Sequence, residues 1–214
     1  MTETPMAGAR PSAAAIRKLF ASPCNFVFGT SDISQMPPAR LPEIAFAGRS
    51  NVGKSSLVNA LTNRRALARV SRTPGRTQQI NFFELANALL IADLPGYGYA
   101  RAPGPLRDTW QQLVRDYLKA RPNLRRVFLL VDGRRGLMDQ DRSAMALLDE
   151  SAVSFALVLT KSDKLSEAET GDVIRALETE GKGHSAAWPG VIATSAAKGL
   201  GLEPLKRQIA ALVH

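Results

Sequence analysis

Gly48-Arg-Ser-Asn-Val-Gly-Lys-Ser55 closes the apolar run EIAFAG (Glu43–Gly48) and opens a helical-looking stretch, Ser55–Arg65. It fits the pattern G-x-x-x-x-G-K-[ST]. Glycines let the backbone turn sharply, so that successive N–H groups point inward at phosphate oxygens. The helix that starts here adds the positive end of its dipole. Gly48, Arg49, Ser50, Asn51, Val52, Gly53, Lys54 and Ser55 are therefore candidate phosphate-binding residues. Lys54 reaches the terminal phosphates as a point charge, and the Ser55 hydroxyl is placed for Mg2+. An ordinary glycine turn is the plain alternative, and the strand before and helix after the motif argue against it.

Working outward, strand and helix signals alternate from Pro42 onward. Gln79–Leu85 and Ala88–Asp93 read as two strands joined by a tight turn around Asn87. Val127–Asp132 and Phe155–Thr160 are continuous apolar runs, and Val191–Ser195 is the last strand. Helices are expected over Leu106–Ala120, Gln140–Glu150, Ser166–Glu180 (which begins with a Ser-x-x-Glu capping box) and Leu202–Val213. Near-continuous apolar strands separated by helices imply an α/β fold. Its expected form is a mostly parallel six-stranded sheet with one antiparallel edge strand and helices on both faces. In such sheets ligands bind at the carboxyl ends of the strands. The first 40 or so residues are punctuated by proline and carry one short helical candidate near Ala13–Phe20. Residues 1–22 read as a flexible arm, and 23–214 as a single nucleotide-binding domain.

The 214 residues suffice for one domain with a full core. Hydrophobic residues make up 45% and charged residues 22%, a globular balance. Cys24 is the single cysteine, so the chain has no internal disulfide framework. No apolar stretch is long enough to span a membrane, and the N-terminus lacks the pattern of a secretion signal, so a cytoplasmic protein is expected. The net charge of +9 favours contact with phosphate backbones. His184 and His214 are too isolated for a zinc site, and Trp110 and Trp188 read as packing residues.

Three further motifs decide the ligand. Asp93-Leu94-Pro95-Gly96 ends a strand: Asp93 suits Mg2+, through water, and Gly96 offers a bare N–H to a γ-phosphate. Arg69–Thr77 (RVSRTPGRT) is rich in turn residues and arginine. Closing over the nucleotide, it brings Gly75, Arg76, Thr77, Gln78 and Gln79 to the site, with Thr77 or Thr73 as a second Mg2+ ligand. Thr160-Lys161-Ser162-Asp163 follows a buried strand. An ionised Asp163 accepts two hydrogen bonds, which matches the adjacent donors of guanine and not adenine. Lys161 lays its stem along the base, and Thr194-Ser195-Ala196 meets the base edge with backbone N–H groups. The nucleotide is therefore GTP or GDP, and TKSD disfavours a P-loop ATPase or kinase.

The ordered set GRSNVGKS, TPGRTQ, DLPGYGYA, TKSD and TSA resembles the TRAFAC class of P-loop GTPases. More closely, it resembles the EngB (YihA/YsxC) family of bacterial GTPases. The resemblance runs from about Cys24 to the C-terminus. It implies a Ras-like fold and makes Thr77 the Mg2+ ligand beside Ser55 and Asp93. It also implies a role in assembly of the large ribosomal subunit, through rRNA and ribosomal proteins, and in normal cell division and septation. The expected activity is Mg2+-dependent hydrolysis of GTP to GDP and phosphate by in-line attack of water. Lys54, Thr77, Gly96 and Asn51 are the catalytic candidates.

Many GTPases place glutamine after D-x-x-G to orient that water, whereas this chain has Tyr97, which lacks the paired donor and acceptor of an amide. Slow intrinsic turnover is therefore expected, raised by a ribosomal partner or by K+. Asn51 resembles the loop asparagine of potassium-stimulated GTPases. Arg64, Arg65, Arg69, Arg72, Arg76, Arg101 and Arg107 are candidates for rRNA contact. The rival reading is a nucleotide-sensing regulatory module in division with negligible hydrolysis. A monomer is expected.

Overall fold

Strand β2 (Glu43–Gly48) is buried at all of its positions. In the computed structural model it lies mid-sheet, parallel to β4 (Leu89–Asp93) on one side and β5 (Leu124–Asp132) on the other. The structure describes residues 11–64, 67, 79–97 and 104–213, without the side chains of 104–111. The described strands form one seven-stranded sheet. With β1 (Cys24–Thr30), β3 (Ile80–Leu85), β6 (Phe155–Thr160) and β7 (Ala187–Ala193), its order is β1-β3-β4-β2-β5-β6-β7. The neighbours β4-β2-β5-β6-β7 are parallel, and β3 is antiparallel to both β1 and β4.

Six described helices cover two faces. On one, α3 (Gly104–Ala120), α4 (Asp139–Glu150) and α5 (Glu167–Gly181) contribute Tyr117, Met145, Leu148 and Leu177 to a core with Ala45, Leu129 and Leu157. On the other, α1 (Ala13–Ala21), α2 (Lys54–Leu61) and α6 (Leu202–Ala210) contribute Ile16, Phe20, Leu57, Leu205 and Ile209 to a core with Phe46, Phe128 and Val158. Alternate residues of the central strands face opposite cores, which is why both sets are apolar. No described helix is long and apolar enough to cross a membrane.

The expected six strands and the single antiparallel strand are present. The seventh, β1, comes from the proline-punctuated stretch and takes the outer edge, so that β3 lies one place in. Its signal is masked because Phe26, Val27 and Phe28 are exposed and a bulge interrupts the register between Phe26 and Phe28. The tight turn near Asn87 is borne out, with Ala86 and Asn87 at φ 58° and 52°. Ser166 caps α5 with Glu169 in the expected box. The arm expected over 1–22 differs in its described part. Ser12 caps α1, and Ile16 and Phe20, one helical turn apart, are buried in the core that α6 shares.

At the amino end of β2, Glu43 is fully buried. Its carboxylate accepts from the Tyr117 hydroxyl at 2.5 Å and from Arg121 Nε at 3.0 Å, and it forms an ion pair with the Arg121 guanidinium. Arg121 Nη1 also donates to Pro37 O at 2.7 Å. Removing one partner of such a pair leaves a charge buried alone. Arg121→Ala is expected to lower stability by about 3–5 kcal/mol, measured by urea unfolding.

Candidate nucleotide site

The loop after β2 turns through two positive-φ residues, Asn51 at 64° and Gly53 at 104°. Gly48 has no room for a side chain, since a Cβ there would sit 2.9 Å from Val52 Cγ1 and 3.0 Å from Leu130 Cβ. Val52 is buried and its N–H donates to Arg49 O at 3.1 Å, which closes the turn. Gly53 is the N-cap residue of α2 and brings no side chain to its first amides. First-turn amides without a side-chain cap are suited to an anion.

The loop is gripped from both sides. From β6, Thr160 donates its hydroxyl to Val52 O at 2.7 Å. Lys161, at φ 57°, donates to Asn51 O at 2.6 Å and to Asp132 Oδ2 at 2.8 Å. A Cβ on Gly53 would lie 3.5 Å from Lys161 Cε, so the lysine stem passes over the loop. From β4, Tyr97 N donates to Gly48 O at 3.3 Å and Ser50 N donates to Tyr97 O at 2.9 Å. Gly96 is drawn against Ser50, where a Cβ would be 3.1 Å from Ser50 N, Cα and Oγ. Leu94 and Pro95 are buried beneath. Lys54 and Asp93 form an ion pair, their side chains only 12% and 8% exposed.

On the far side, Asp163 Oδ1 accepts the Ser195 hydroxyl at 2.5 Å and Lys164 lies 3.3 Å from Oδ2. The Ser195 bond, above all, holds the Asp163 carboxyl below the usual carboxylate range. Ser162 N donates to Thr194 O at 3.1 Å, which joins the two loops. The amides of Thr194 and Ser195 are already used, on Leu159 O at 2.7 Å and Leu200 O at 3.0 Å. Of this triplet, the N–H left to meet a base edge is that of Ala196. Gly75, Arg76, Thr77 and Gln78 lie outside the described residues, as do Thr73, Arg65, Arg69, Arg72 and Arg101 and the side chain of Arg107. Gln79 is described and exposed just before β3.

Residues 43–161, more than half of the chain, match the family model described as 50S ribosome-binding GTPase. The probable GTP-binding protein EngB of Cereibacter sphaeroides is 52% identical over 92% of this chain and 90% of its own. The chain belongs to the EngB family of GTP-binding proteins. A crystal structure of a probable EngB superposes with TM-score 0.65 at 27% identity, covering 80% of this chain and 98% of that one. The fold also matches Era solved with MgGDPNP and nucleotides 1506–1542 of 16S ribosomal RNA, with TM-score 0.61 at 20% identity over 79% of this chain and 56% of that one. The domain is thus a GTPase domain on a Ras-like fold.

In this EngB-family chain two site-bordering acids escaped the sequence reading. Asp132, at the end of β5, lies under Lys161 and also accepts from Arg134 at 2.8 and 3.0 Å. Burial pushes its carboxyl up, but the bonds from Arg134 and Lys161 outweigh this and hold it at about 2. Its signal was available: an acid closing an apolar strand, as Asp93 does. Asp141, on α4, accepts the Tyr97 hydroxyl at 2.9 Å and is fully buried. No motif points to it. Because the fold depresses Asp132, its contribution to stability is complete above the ordinary value near pH 4 and is lost as pH falls toward 2. Urea midpoints of wild type and Asp132→Asn, measured against pH, are expected to differ most above pH 4 and to converge below it.

Proposed function

We propose that this chain is a slow, Mg2+-dependent GTP-hydrolysing switch in assembly of the large ribosomal subunit, on which normal cell division and septation depend. The observation that carries the reading is the meeting of four motifs at the carboxyl ends of β2, β4, β6 and β7. Lys54 pairs with Asp93, Thr160 and Lys161 hold the loop carbonyls, and Ser195 holds Asp163.

In this reading the loop amides from Gly48 to Ser55 and the Lys54 ammonium hold the phosphates. Lys54 exchanges Asp93 for phosphate oxygens when nucleotide enters. Asp163 accepts from the guanine edge, Lys161 packs on the base, and the Ala196 amide faces its carbonyl. The Ser55 hydroxyl and Asp93 carboxylate are the oxygen donors a hard cation takes, with Thr77 as the third protein ligand. Among the described residues no cluster of three or more His, Cys, Asp or Glu is set to hold a metal alone. The cation would therefore share phosphate and water oxygens. When bound, Mg2+ neutralises charge developing on the β- and γ-oxygens.

Tyr97 is buried with its hydroxyl on Asp141, so it does not orient the attacking water. Low intrinsic turnover follows, with K+ at Asn51 or a ribosomal partner supplying what is missing. The ribosomal reading draws on the net charge of +9 and on the description of the matched family. The same burial of Tyr97 favours, as a second reading, a sensor of guanine nucleotide with negligible hydrolysis in a division pathway.

The deciding experiment measures GTP turnover in matched K+ and Na+ buffers, with and without purified large-subunit particles. Acceleration by the particles is expected. Acceleration by K+ that persists in Asn51→Ala would remove Asn51 from the mechanism. No acceleration by either, with tight GTP binding, would favour the sensor. For the base contact, Asp163→Asn is expected to weaken GTP binding by roughly tenfold or more, since a buried donor would face guanine donors. The same variant should shift preference toward xanthosine triphosphate, whose 2-oxo group accepts, and competitive titration reads both effects.

A further inference from the structure

We propose that Asp141 is a positioning residue for the γ-phosphate contact, acting through Tyr97. The inference rests on the GTP-site reading above and adds a residue of α4 to it.

Tyr97 is fixed at both ends. Its backbone exchanges two hydrogen bonds with the phosphate loop, at 3.3 Å to Gly48 O and 2.9 Å from Ser50 N. Its hydroxyl donates to Asp141 Oδ1 at 2.9 Å, across 44 residues of sequence. Asp141 is itself immobilised: it is fully buried, and its Oδ2 accepts Met138 N at 3.0 Å at the start of α4. One carboxylate thus serves the helix with one oxygen and Tyr97 with the other. The Arg49 side chain belongs to the same cluster. Its Nε is buried without a hydrogen-bond partner among the described residues, and its charge acts on both Tyr97 and Asp141. Burial pushes the Asp141 carboxyl above its ordinary range, while Tyr97, the Met138 amide and Arg49 work the other way.

The consequence falls on Gly96. It is the residue immediately before Tyr97 and is packed so closely on Ser50 that a side chain would have to displace the loop. Its N–H has little freedom once Tyr97 is anchored. With Gly96 as the N–H donor to the γ-phosphate, as its motif predicts, only GTP presents a group to it, because GDP ends at the β-phosphate. Loosening the anchor therefore weakens GTP binding and leaves GDP binding nearly intact. A contact that merely stabilised the fold would not distinguish the two nucleotides.

The test titrates the full chain, as wild type, Tyr97→Phe and Asp141→Asn, with GDP and with a non-hydrolysable GTP analogue. Tyr97→Phe is expected to lower affinity for the analogue roughly five- to twentyfold, with GDP affinity within about twofold of wild type. Asp141→Asn keeps one acceptor oxygen for two donors and is expected to give an intermediate fall. An unchanged or increased preference for the analogue in both variants overturns the proposal. So does a loss of GDP affinity in step with the analogue, which would make the contact purely structural. If wild type binds neither guanine nucleotide, the GTP-site reading has failed instead.

Discussion

Thr160 donates one hydroxyl to two carbonyls, Val52 O in the phosphate loop at 2.7 Å and Val131 O near the end of β5 at 3.2 Å. The residue is buried, so the bond is made out of competition with water. It fixes the height of the phosphate loop against two neighbouring strands and sets the start of the segment that carries Lys161 and Asp163. The loop's glycines permit its shape but do not hold it. Tyr97 from β4 and Thr160 and Lys161 from β6 hold it, and parallel order makes this arrangement possible. Strands β2, β4, β5, β6 and β7 all end on the same side, so five loops meet at one edge.

Strand β2 carries charge at both ends, under opposite conditions. At its amino end, Glu43 is enclosed by Tyr117, Arg121 and Asn123, and its oxygens are fully engaged. A buried pair so completely satisfied has no reason to exchange partners. Beyond its carboxyl end, Lys54 and Asp93 face one another as an ion pair. In the proposed reading each would be the counter-charge of a different part of a magnesium nucleotide, ammonium for phosphate and carboxylate for cation. The pair therefore keeps two charges compatible with burial while leaving both open to exchange. Under that reading the same ionic chemistry would serve rigidity at one end of the strand and ligand exchange at the other.

Sequence legibility follows the same division. Local constraints could be read directly: the phosphate loop, the strand-end Asp93, the TKSD segment, the capping box at Ser166 and the tight turn at Asn87 each depend on residues adjacent in the chain. Strand β1 could not, because an edge strand with exposed Phe26 and Phe28 and an irregular register has no alternating pattern. The docking of α1 was half legible. Its helix was visible near Ala13–Phe20, but its burial depends on α6, nearly two hundred residues later. In the same way, the amides of Thr194 and Ser195 looked available for a base until the sheet placed Leu159 O and Leu200 O beside them.

Tyr97 shows why one substitution can alter two properties at once. Glutamine after D-x-x-G works at the surface of a site, where its amide can reach water. Tyrosine at that position is drawn inward by its ring, and its hydroxyl then requires a buried partner, which Asp141 provides. The exchange removes a water-orienting group from the site and gives the adjacent Gly96 a firm anchor. In the proposed reading, such a site would recognise the γ-phosphate by geometry and would be poorly equipped to cleave it unaided. Under the proposed function, hydrolysis would be governed by whatever supplies the missing group, and the lifetime of the GTP-bound form would be set by the partner rather than by the chain alone.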